Sequence, residues 1–126
     1  MSDIMAVLLN GIAQIEFDRN KFIRAEQKAY LKRMDEKMDR GIEVDGEWLE
    51  DPDLGQRARF VANALAQAIA ANNEAQCAAS TAWLAERMPD LKQVKIRDEG
   101  GVRSIDLVFD EDYVKQQPIV FGRPGA

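Results

Sequence analysis

Apolar positions in the first forty residues recur at helical spacing. Met5, Leu8, Ile12 and Ile15 lie three or four residues apart, and Phe22, Ile23, Tyr30, Met34 and Met38 continue the stripe. The pattern predicts a helix from about residue 3 to residue 40. Ser2 or Asp3 can cap its start, and Gly41 suits the left-handed position after its end. Gly11 costs about 1 kcal/mol inside a helix, so it is expected to mark a bend or a close contact. A second stripe, through Leu54, Val61, Leu65, Ala68, Ile69, Ala79 and Trp83, predicts a helix from about residue 52 to residue 88. Asp51-Pro52-Asp53 supplies a starting signal and Pro89 a stop. Alanine is dense between these limits and lets a neighbouring helix approach closely. The connection, residues 41–51, alternates too briefly to predict a strand with any force.

The period then changes. Val94 and Ile96 alternate with Lys95 and Arg97, and Ile105, Leu107 and Phe109 alternate with polar or smaller residues. Asp98-Glu99-Gly100-Gly101 between them reads as a turn, so a β-hairpin is expected. The predicted fold class is therefore α+β and mostly helical: an antiparallel two-helix hairpin followed by a C-terminal β-hairpin. Two long amphipathic helices offer more apolar surface than one β-hairpin can cover. That predicts a homodimer with a four-helix arrangement. Residues 1–112 read as one domain. Residues 113–126 read as a tail, in which Ile119, Val120 and Phe121 could pair with a sheet edge or enter a partner's groove.

Four polar residues interrupt the apolar stripes. Projected at 100° per residue, Arg19 and Glu26 fall within the first stripe, and Asn72 and Gln76 within the second. Antiparallel packing brings all four to one level. They are expected to form a polar layer in the helix seam that sets register and oligomeric state.

Composition narrows the chemistry. The 126-residue chain has no histidine, which excludes imidazole bases, Ser-His and Cys-His nucleophile pairs, and imidazole metal ligands. A single cysteine, Cys77, excludes an internal disulfide framework and reads as a small packed residue in a reducing, cytoplasmic setting. No apolar run approaches the roughly 20 residues of a membrane span. A net charge of −5 opposes general attraction to phosphate backbones and anionic lipid. Lys21, Arg24, Lys28 and Lys32 nevertheless form a basic stripe, read as a solvated helix face among neighbouring carboxylates.

Carboxylates crowd the connection. Glu43, Asp45 and Glu47 match the first three acidic positions of a twelve-residue calcium loop, but Trp48 occupies its glycine position. They are weak candidates for a cation, and no cofactor is expected. Without catalytic vocabulary, the expected role is a non-enzymatic protein-interaction module: an adapter, accessory or regulatory factor with a protein partner. The competing expectation is a small-ligand or divalent-cation-binding protein that uses carboxylates and Arg19.

Overall fold

The computed structural model describes residues 3–115. It shows an α+β fold that opens with strands rather than a helix. Strands β1 (Ile4–Leu9) and β2 (Ile12–Asp18) form an antiparallel hairpin. Asn10 and Gly11 join them with φ of 50° and 83°. A two-residue turn of this hand requires that conformation at both positions and favours the Asn-Gly pair. Helix α1 (Ala25–Asp39) follows. A short second hairpin consists of β3 (Ile42–Val44) and β4 (Glu47–Leu49). Then come α2 (Leu54–Ala70), α3 (Glu74–Arg87), and the terminal hairpin of β5 (Gln93–Glu99) and β6 (Val102–Val108).

The expected two-helix hairpin is not formed. Residues 4–18 are extended because β1 is a central strand covered on both faces. Its residues from Met5 to Leu8 are all buried, which produces a continuous apolar run that helical periodicity can mimic. The expected second helix is divided at residues 71–73. Asn72 adopts φ of 55°, and the Asn73 side chain accepts the Gln76 N–H at 3.1 Å to start α3. Asparagine tolerates the left-handed conformation and is a favoured helix cap, so these residues end one helix and begin another. Helix α2 starts two residues later than the proline suggests. Asp53 is its cap, accepting the Gln56 N–H at 2.8 Å, while Gln56 accepts the Asp53 N–H at 2.9 Å.

The expected C-terminal hairpin is present, with a tighter turn: Gly100 and Gly101 alone connect its strands, and Asp98 and Glu99 belong to β5. The two long hairpins meet through parallel pairing of β1 with β5, which gives one four-stranded sheet in the order β2-β1-β5-β6. Met5, Val7, Val94, Ile96 and Ile105 join Val61, Leu65, Trp83 and Leu84 of α2 and α3 in one core. The sheet covers the faces of α2 and α3 from which the four-helix arrangement was expected.

The opposite sheet face has a smaller cover. Residues 109–115 lie across it as a strap. Tyr113 packs on Ala6 and Leu8, and its hydroxyl donates to Glu16 Oε2 at 2.6 Å. Gln93 Nε2 donates to the Glu111 carbonyl at 2.9 Å, and Lys95 Nζ donates to Glu111 Oε1 at 2.8 Å. Tyr113 thus ties the end of the described residues to β1 and β2. Among the described residues, no helix is long and apolar enough to cross a membrane.

Candidate functional site

Helix α1 is held at the edge of the helical layer by a small number of contacts. Only Leu31 and Met38 are fully buried along its length. Asp35 adds a polar clamp. Its carboxylate accepts from Trp83 Nε1 at 2.7 Å and from Arg87 Nη2 at 2.6 Å. A planar guanidinium on a carboxylate, with an indole N–H on the same group, fixes orientation as well as distance. Arg57 forms a second tie from α2, reaching Asp39 Oδ1 at 2.7 Å. The helix is anchored by these points, and open space remains beside them.

That space is an apolar groove in two adjoining parts. One cavity of about 470 Å³ lies between Tyr30 and Leu31 of α1 and Ala75, Ala79 and Ala82 of α3. Another of about 410 Å³ lies between Met34 and Met38 of α1 and Phe60 and Ala64 of α2. Tyr30 and Gln76 border both cavities. Tyr30 is 43 % exposed, although it faces an apolar groove. Alanine side chains make the floor shallow and leave room for another backbone to come close.

Arg24, Glu26 and Lys37 are the charged residues that line the groove, and they belong to a basic stretch of the chain. Residues 19–40 carry eight Lys or Arg and four Asp or Glu, in a chain whose net charge is −5. Asp35 and Asp39 are already paired with Arg87 and Arg57. Lys28 lies over the Phe22 ring at 5.6 Å, and Arg33 lies over the Tyr30 ring at 5.5 Å. The rings and cations therefore support one another and keep positive charge next to apolar surface. Phe22 itself is 84 % exposed.

The predicted polar layer is dispersed because the helix seam meant to contain it is absent. Glu26 and Gln76 do line the same cavity. Gln76 also donates from Nε2 to Ser80 Oγ at 3.2 Å. Asn72 instead forms the break between α2 and α3. Arg19 sits just beyond β2, where its guanidinium donates to the backbone carbonyls of Ala85, Met88 and Leu91. It thus ties β2 to the C-terminal end of α3, where carbonyls lack helical partners and favour a cation. Burial lowers the Arg19 pKa, and the nearby charges of Glu86 and Asp90 oppose that shift.

The acidic candidates do not converge. Asp45 and Gly46 make the β3–β4 turn. Glu43 stands opposite Trp48, whereas Glu47 stands opposite Val44, so the two glutamates occupy different faces of the hairpin. Among the described residues, no group of three or more Asp, Glu, Cys or His could hold a metal ion. Burial first, and Glu74 second, raise the Cys77 pKa. That shift favours the protonated thiol over a nucleophilic thiolate. Ile119, Val120 and Phe121 lie outside the described residues.

Sequence reasoning missed Asp35, Trp83 and Arg87 as one unit. They come from distant parts of the chain, and a carboxylate within a helical charge pattern does not announce a buried indole partner. Tyr30, Met34 and Met38 were visible as an apolar stripe, but not the cavity beside it. No family model, curated protein or solved structure matches this chain. The functional reading consequently rests on the groove and the residues around it.

Proposed function

We propose that this protein is a non-enzymatic protein-interaction module that receives a segment of its partner in the groove between α1 and the α2–α3 pair. One observation carries the reading: an open apolar groove, bordered by Tyr30 and floored by alanines, that none of the described segments of the chain fills. Monomeric proteins seldom leave large apolar surfaces together unless the surface meets another molecule. Helix-lined grooves of this kind accept the apolar face of a second helix.

The metal-dependent alternative has less support, because the loop carboxylates are divided between two faces of a hairpin. The small-ligand alternative drew on Arg19, whose guanidinium is committed to three backbone carbonyls.

Quantitative affinity capture from native cells tests the interaction role. The baits are the full chain and the groove variants Ala79→Gln and Tyr30→Ala. A partner retained near stoichiometry by the parent and depleted from both folded variants is the expected result. A capture profile that neither substitution changes would remove the groove from the interaction role.

A further inference from the structure

We infer that the segment received by the groove is an acidic amphipathic helix of another protein. This identity rests on the interaction role proposed above and adds its chemistry.

Within residues 20–40, none of the Lys or Arg side chains takes part in an ion pair with a described carboxylate. Two of the four acidic residues there are taken up by cations of other helices, Asp35 by Arg87 and Asp39 by Arg57, which leaves Glu26 and Glu36 against seven Lys or Arg. Arg24 and Lys37 border the two cavities from opposite ends of α1. A ligand lying along the groove meets Arg24, with Glu26 beside it, near one end, Lys37 near the other, and apolar surface between them. Complementary charge there favours encounter and excludes basic partners.

Ala75, Ala79 and Ala82 follow one another at spacings of four and three on α3. They form a ledge about 10 Å long at a rise of roughly 1.5 Å per residue. A ligand helix of about three turns could rest on it with its apolar stripe facing Tyr30 and Leu31. The small residues permit the close axis separation that such packing needs.

Other occupants fit less well. A two-fold contact between copies of this chain through the same groove would bring both basic stretches together. A nucleic acid could meet the cations, but its phosphates would gain nothing from the apolar floor. The Phe22 and Tyr30 rings are also already beside cations rather than presented as a free stacking platform. An anionic membrane is broad, whereas this apolar surface is recessed between helices.

Fluorescence anisotropy with the full chain provides the test. The probes are a labelled amphipathic peptide of about 18 residues, with Leu on one face and Glu on the other, and its counterpart with Lys replacing Glu. The expected result is binding of the Glu peptide at least about tenfold tighter than the Lys peptide, weakening as salt is raised. Lys28→Gln combined with Lys37→Gln should weaken the Glu peptide about fivefold, and Ala79→Gln should weaken both peptides. Circular dichroism confirms that each variant is folded. Equal binding of the two peptides, both sensitive to Ala79→Gln, would overturn the acidic preference and leave the groove role standing. Binding insensitive to Ala79→Gln would overturn both. Absence of peptide binding together with salt-sensitive binding to single-stranded RNA or to phosphatidylglycerol vesicles would also overturn both.

Discussion

The sheet contains two hairpins built on the same plan but placed in different surroundings. Both β1–β2 and β5–β6 turn through two residues at positive φ, Asn10-Gly11 in one and Gly100-Gly101 in the other. Their inner strands lie side by side at the centre of the sheet. Yet β1 is buried from Met5 through Leu8, whereas β5 alternates buried Val94 and Ile96 with exposed Lys95 and Arg97. The difference comes from the strap. Tyr113 covers Ala6 and Leu8, while the same sheet face around Lys95 and Arg97 remains accessible to solvent. Alternation is thus a property of a strand with one wet face, not of every strand. Register errors are correspondingly easier to detect in β5 than in β1, because only β5 would expose apolar residues by slipping one place.

The largest test of this contrast compares a central side chain with an outer one. Met5→Ala should cost about 2–5 kcal/mol, because Met5 is fully buried. Val102→Ala should change stability by no more than about 0.5 kcal/mol, since Val102 is 72 % exposed. Urea denaturation of the two variants measures the difference. Equal losses would break the distinction between the hairpins.

A smaller effect separates their charged ties. Arg19 serves three carbonyls near the end of α3, so Arg19→Met should cost about 2 kcal/mol by leaving those acceptors without their donor. Arg103 pairs with Asp98 across β6 and β5 at 3.1 Å, in a partly exposed position. Arg103→Met should cost no more than about 1 kcal/mol. The same denaturation series checks the order, and the reverse order would contradict the anchoring role of Arg19.

The smallest effect concerns the strap and acid. The hydrogen bond from Lys95 lowers the Glu111 pKa, helped by the lysine's charge and by the Gln93 hydrogen bond. A carboxyl whose folded pKa is depressed adds stability above its ordinary range and loses it as pH falls through the lowered value. The stability difference between the parent and Glu111→Gln should therefore be constant near neutrality and shrink below the ordinary glutamate range. Parallel titration of denaturation midpoints measures that shrinkage. A difference unchanged by acid would detach Glu111 from the strap's stability.

These contrasts explain what was legible in the chain. Hairpin β5–β6 could be read because Val94, Ile96, Ile105 and Leu107 alternate with polar residues across one wet face. Hairpin β1–β2 could not be read from its period, because coverage on both sides removes alternation from β1. The Asn10-Gly11 pair still carried a strong turn signal, but taking it as a helix interruption hid its meaning. Asn72-Asn73 similarly carried both a left-handed residue and a cap within an alanine-rich run.

The candidate groove was only half legible. The apolar stripe of Tyr30, Met34 and Met38 and the basic residues beside it can be seen in order along α1. Their closeness to Ala75, Ala79 and Phe60 follows from tertiary packing. Arg19 shows the opposite failure. Its position suggested a helix-seam layer, whereas β2 delivers it to the last turn of α3.

The parallel contact between Ile4–Leu9 and Gln93–Glu99 also sets an order of assembly. As the chain is synthesised, the most apolar strand emerges before the other strands of its sheet and acquires β2 within a few residues. Its other neighbour does not exist until more than eighty further residues have been made. Such distant pairing slows folding and leaves the early strand open to association with other nascent chains. The interval between making β1 and making β5 is thus the period of greatest aggregation risk, and a chaperone that shields the early hairpin would act within it.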